Sequence, residues 1–104
     1  MKEKLHNILD DTKFPQIGNE FFETLLSHKN VTIELIRSNN VKNGVLYNQK
    51  HDEWVVVLEG NAILEVEEIR HSLHKGDSLF IKADTPHSVI STDEKTLWLA
   101  VHIY

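Results

Sequence analysis

The sequence predicts an all-β domain, an antiparallel sandwich or closed barrel preceded by a short arm. Three observations carry the prediction. From residue 21 onward, apolar runs of four to eight residues follow one another at short spacing, separated by turn-forming clusters. No segment of helical length and period interrupts them. At 104 residues and 12.0 kDa the chain has room for one core and no second domain.

Residues 1–20 read as the arm and residues 21–104 as the barrel. In the arm, Leu5, Ile8 and Leu9 fit one face of a short helix, which Asp10, Asp11, Pro15 and Gly18 bring to an end. "FFETLL" and "VTIELIRS" then flank "SHKN", a four-residue hairpin connection. In the second run Val31, Ile33 and Leu35 alternate with Thr32, Glu34 and Ile36, a period of two. "EWVVVLE" turns at Gly60–Asn61 into "AILEV", and "EE" leads to "IRHSL". "HKGD" precedes "SLFI", "KADTP" precedes "HSVIST", and "DEKT" precedes "LWLAVHIY". Closing such strands into a barrel removes exposed edges and leaves an interior lined by alternate residues.

Composition excludes several functions. The net charge is -5, and lysines and arginines are scattered without a basic stripe, so no nucleic-acid partner is expected. The absence of cysteine rules out disulfides and thiolate metal sites. No apolar span is long enough to cross a membrane as a helix, and "MKEKLHNILDDTK" is too charged for a signal peptide, so a cytoplasmic protein without a membrane partner is expected.

The stretch "LYNQKHDEWVVVLEG" carries the chemistry. Tyr47, Gln49, His51 and Glu53 are all odd-numbered, so in an extended chain they share one face with Val55 and Val57. If those valines point into the barrel, the polar groups line its mouth.

"DEWVVVLEG" and "GDSLFIKADTPH" together resemble the two motifs of the cupins, small double-stranded β-helix (jelly-roll) barrels. Gly44, Glu53 and Gly60 match the first motif; Gly76 and His87 match the second. "FFETLL", "YNQKHDEW" and "WLAVH" extend the likeness to small single-domain cupins over nearly the whole chain. Tyr47 and Gln49 stand where the first motif has two histidines, and Lys82, Asp84 and Ser91 replace the proline, glycine and asparagine of the second. The metal site implied by the resemblance, three histidines and a glutamate, thus becomes Gln49, Glu53 and His87, with His51 and His102 as spare ligands. The resemblance implies a weakly held divalent ion (Mn, Fe, Ni, Co or Zn, not distinguished) or none.

Each residue also has a plainer reading. Glu53 is equally a strand-entry acid, and Gln49 equally a solvent-exposed amide. Tyr47 is a hydrogen-bond donor or a packing ring, and His87 is a ligand or proton carrier expected to face the cavity. Exposure in a turn is expected of His51. For His102, inside the apolar "LWLAVHIY" on the face of Trp98, Ala100 and Tyr104, a hydrogen-bonded core ring is favoured over a spare ligand. Trp54 and Trp98 read as a binding platform or as packing. "WVVVL" and "LWLAVHIY" are apolar on both faces, which predicts a covered outer face and a homodimer. The leading function is metal-assisted chemistry on a small metabolite; the alternatives are metal-free acid–base chemistry with His87 and Tyr47 oriented by Glu53, non-catalytic small-molecule binding, and a structural or interaction role with the cavity filled by side chains.

Overall fold

The computed structural model describes residues 5–9 and 13–104, which contain nine strands and no helix. The strands are β1 (Glu20–His28), β2 (Val31–Ser38), β3 (Leu46–Tyr47), β4 (Asp52–Glu59), β5 (Ala62–Val66), β6 (Ile69–Leu73), β7 (Ser78–Ile81), β8 (His87–Thr92) and β9 (Thr96–Ile103). They form a five-stranded sheet, β1-β2-β9-β4-β7, and a four-stranded sheet, β3-β8-β5-β6, every pair antiparallel. Consecutive strands change sheet repeatedly, as in a jelly roll. No helix among the described residues is long and apolar enough to cross a membrane.

Two details differ from the sequence expectation. The first hairpin is tighter than "SHKN": β1 runs through His28 and β2 begins at Val31, so Lys29–Asn30 alone make the turn, with Lys29 at φ 53. In the arm, residues 5–9 make a turn at Ile8–Leu9 instead of helix. There the Leu9 amide donates to Asn7 Oδ1, so a local side-chain bond competes with the helical one. The proposed helix stop at Asp10 and Asp11 lies outside the described residues.

The core occupies one end of the roll. Val57, Ala62, Leu73 and Ala100 are buried there beside Ile36, Val55, Leu64, Ile81 and Trp98. Each fully buried side chain of Val or Leu size contributes ~1.5–3 kcal/mol, so the packed end stabilises a barrel whose other end carries polar groups. The β4–β5 turn needs its glycine. Gly60 sits at φ +86, and a Cβ there would lie 2.6 Å from Thr96 Oγ1 and 2.8 Å from Thr96 Cα.

The outer face of the larger sheet is mixed. Buried Arg37 donates to Glu23 at 3.0 Å, while Trp54 and Phe80, cross-strand partners, are 37% and 54% exposed. Trp98 points the opposite way, into the roll, so the two tryptophans make no common platform.

Candidate functional site

The open end of the roll holds a cavity of ≈ 460 Å³ whose floor is Ile36, Val55, Leu64, Ile81 and Trp98. Tyr47, Gln49, His51 and Glu53 all line it, as their shared parity predicts. The parity survives the β3–β4 loop because the intervening residues are held outward. Lys50 pairs with Asp84 at 2.9 Å, Asp52 Oδ1 accepts from the Ala83 amide, and the Asp84 amide donates to the Gln49 carbonyl. The even residues grip the β7–β8 loop, and the odd ones face the cavity.

His51 therefore corrects the sequence reading. It is half-buried rather than exposed, and its Nε2 lies 2.8 Å from His102 Nδ1. Its ring also stands 4.3 Å from that of Tyr104, centroid to centroid.

His87 opens β8 directly after Pro86. Its Nδ1 lies 2.9 Å from the Thr85 carbonyl oxygen. A carbonyl only accepts, so Nδ1 carries a proton and Nε2 is turned toward Glu53. Glu53 Oε1 is 3.7 Å from that nitrogen, beyond a direct hydrogen bond, and both side chains are buried. Burial opposes charge on the His87 ring, yet Glu53 and the Thr85 carbonyl more than offset it and raise the pKa above the ordinary imidazole value. Tyr47, the ladder partner of His87, stacks on it with centroids 5.7 Å apart. Burial first, then the charges of Glu20, Glu53 and Glu34, raise the Tyr47 pKa.

His102 is both a hydrogen-bonded buried ring and a cavity residue. Its ladder partners are Thr32 on β2 and Glu53 on β4, and Glu34 lies diagonally across the β2–β9 ladder on the same face. His102 Nε2 donates to Glu34 Oε1 at 3.2 Å. That bond raises its pKa, against burial and with help from the Glu53 charge. For His51, burial and then the His102 charge lower it. The arrangement is a chain, Glu34–His102–His51, with both His102 nitrogens engaged.

A third carboxylate lies at the edge of β1. Glu20 Oε2 accepts from the Ser38 hydroxyl at 2.6 Å, and Ser38 Oγ accepts from Trp98 Nε1 at 3.0 Å. Burial raises the Glu20 pKa, and the Ser38 bond offsets part of the rise. The sequence reading picked out neither Glu20 nor Glu34. Thr32, Glu34 and Ile36 do share a parity in "VTIELIRS", but apolar residues on both parities hide which face turns inward.

Gln49 is partly buried, and its Oε1 is buried without a hydrogen-bond partner among the described residues. Of the residues expected to hold a metal, Gln49, Glu53 and His87 line one cavity, while the spares His51 and His102 bond to each other. Among the described residues no group of three or more His, Cys, Asp or Glu side chains is gathered closely enough to hold an ion. Two donors remain compatible with one: metal–ligand bonds of ~2.1 Å place donors on a common ion up to about 4.2 Å apart, and Glu53 Oε1 and His87 Nε2 are 3.7 Å apart. With Nδ1 of His87 fixed by a backbone carbonyl, Nε2 is the nitrogen left for a ligand.

A family model described as "Cupin domain" matches residues 41–103. Among solved structures, a provisionally named mannose-6-phosphate isomerase from Ralstonia eutropha JMP134 is 36% identical, covering 97% of this chain and 98% of that one, with a TM-score of 0.86. KdgF from Halomonas sp. is 13% identical over 98% of this chain and 94% of its own, with a TM-score of 0.81. An RmlC-like cupin from Shewanella frigidimarina NCIMB 400 is 16% identical over 98% and 91%, with a TM-score of 0.78. No curated protein matches the sequence.

Proposed function

The chain belongs to the cupin family, and on that premise we propose that its barrel cavity binds a small metabolite on which His87 and Glu53 act as an acid–base pair. One observation carries this reading: a buried imidazole, its Nδ1 fixed by the Thr85 carbonyl, presents Nε2 to a buried carboxylate at the cavity wall. At 3.7 Å the two can share one ligand atom set beside them, within hydrogen-bond reach of both. Such a pair passes a proton to or from a ligand hydroxyl or carbonyl near neutral pH. Tyr47, stacked on the ring, forms the adjoining wall and can hydrogen-bond a ligand oxygen.

The test is ligand-dependent stabilisation across a metabolite panel that includes mannose 6-phosphate, the sugar named for the Ralstonia relative. A compound that binds only the folded state raises the melting temperature. His87→Ala should abolish that rise. If the variant keeps both the stabilisation and any measured activity, the reading is wrong.

A second reading, a weakly held divalent ion on Gln49, Glu53 and His87, is favoured by the Gln49 Oε1 that has no partner among the described residues and by the His87 Nε2 turned toward Glu53. Such an ion would supply Lewis acidity. An amide oxygen is a poorer donor to transition metals than imidazole, so binding is expected to yield to a mild chelator. Metal analysis of protein purified without a nickel column separates the two readings.

The outer face supports a homodimer. Trp54 and Phe80 form an exposed apolar pair that a second copy would cover. Sedimentation giving a 12.0 kDa species at micromolar concentration would reject it.

A further inference from the structure

We infer that the ligand of this cavity is a small organic cation, a primary amine in its ammonium form, rather than a phosphorylated or carboxylated metabolite. The inference rests on the cavity being the binding site proposed above and adds the chemistry of what enters it.

Charge comes first. Glu20, Glu34 and Glu53 line the cavity, and no lysine or arginine does so among the described residues. Three imidazoles, His51, His87 and His102, line it too, but His51 sits 2.8 Å from His102, and with His51 neutral the three carboxylates outnumber the two imidazoles that can be charged. Glu53 and Glu34 each have an imidazole partner. Glu20 has only the Ser38 hydroxyl, and among the described residues no ion-pair partner. A phosphate placed here meets three like charges along the larger sheet and, among the described residues, no guanidinium or ammonium to hold it.

The surroundings of Glu20 suit a cation. Ser38 links its carboxylate to Trp98, and Phe22, two residues on, lies on the same face of β1. Tyr47 lines the same cavity from the other sheet. Aromatic faces beside a carboxylate attract ammonium groups, which gain from the ring quadrupole and from the opposite charge.

Hydrogen-bonding capacity points the same way. The three carboxylates accept only, and Gln49 adds a buried amide oxygen with no partner. An ammonium group donates only. Acceptor-rich walls and a donor-only ligand satisfy each other.

The decisive experiment is calorimetry on the full chain in EDTA-containing buffer, with three ligands of one length and different charge: 1,4-diaminobutane, 4-aminobutan-1-ol and butane-1,4-diol. Mannose 6-phosphate is the anionic arm. Affinity should rise about tenfold with each ammonium that replaces a hydroxyl, because hydrogen bonds to charged groups are roughly twice as strong as neutral ones. Mannose 6-phosphate should give no heat of binding. Glu20→Gln keeps a partner for Ser38 and should weaken the diamine about tenfold while leaving the diol unchanged. Should that variant fail to fold, raising the salt concentration on the unaltered protein tests the same term, since the diamine must weaken and the diol must not. Diol or sugar phosphate binding as tightly as the diamine would overturn the inference and leave the pocket reading standing. Silence from all four would overturn the inference too, and the pocket reading would then stand or fall on the metabolite panel and His87→Ala.

Discussion

The cavity contains two carboxylate–imidazole pairs, and they are built for different ends. In the Glu34–His102 pair the atoms are 3.2 Å apart, and the far nitrogen of the ring is taken by His51 at 2.8 Å. In the Glu53–His87 pair they are 3.7 Å apart, and the far nitrogen is held by a backbone carbonyl. His102 has spent both nitrogens on side chains, so any change to it breaks a chain of three residues. His87 has one nitrogen fixed and one facing a gap. The same two residue types thus give a closed chain in one place and an open pair in the other, and what distinguishes them is the partner of the second nitrogen.

The largest expected effect separates the pairs by stability. His102→Ala leaves Glu34 and His51 without their shared partner and opens space in the wall, at a cost of about 2–4 kcal/mol in urea unfolding. His87→Ala, which loses one backbone bond and a loose pair, should cost about 1 kcal/mol and remove ligand binding instead. Equal costs for the two variants would erase the distinction.

A tenfold effect is expected from the metal reading. Gln49→His places an imidazole where the cavity has an amide, and should tighten Mn²⁺ or Zn²⁺ about tenfold by titration calorimetry. No gain would mean that residue 49 cannot reach an ion shared with Glu53 and His87.

The smallest effect is on pH dependence. His87 and His102 both titrate above the ordinary imidazole value when folded. Their stabilisation is therefore complete below the unfolded pKa of about 6.5 and is lost as pH rises through the folded values. His51, lowered, acts in the opposite sense and costs stability as pH falls below that value. Around His102 stand Glu34, Glu53, His51 and His87, and Glu34 is the main cause of its rise. The urea midpoint should fall between pH 6 and 8, and Glu34→Gln should flatten that slope. An unchanged slope would place the charge of His102 elsewhere.

Much of this was legible in the chain. Short strands with turn signals point to the fold class, and the odd parity of Tyr47, Gln49, His51 and Glu53 turns all four toward one cavity. His51 was misjudged because its inward position depends on Lys50 and Asp52 gripping the β7–β8 loop, contacts more than thirty residues away in sequence. Glu34 was invisible for the same reason. It meets His102 across 68 residues, and nothing in "VTIELIRS" says which parity faces in. Glu20 begins β1 within the segment read as the arm, where an acid before an apolar run looks like an ordinary boundary.

The briefest strand among the described residues is also the one most easily loosened. β3 offers only two ladder pairs, Leu46 with Ser88 and Tyr47 with His87. On either side the chain is moored, by the Gly44 amide to the Val89 carbonyl and by the Gln49 carbonyl to the Asp84 amide. Between those moorings Val45 and Leu46 stand largely in solvent. Two pairs break far more readily than the eight that join β2 to β9, so this stretch can swing aside while the roll stays shut. Tyr47 then belongs to the loosest part of the cavity lining, and its amide should exchange with deuterium well before that of Val55.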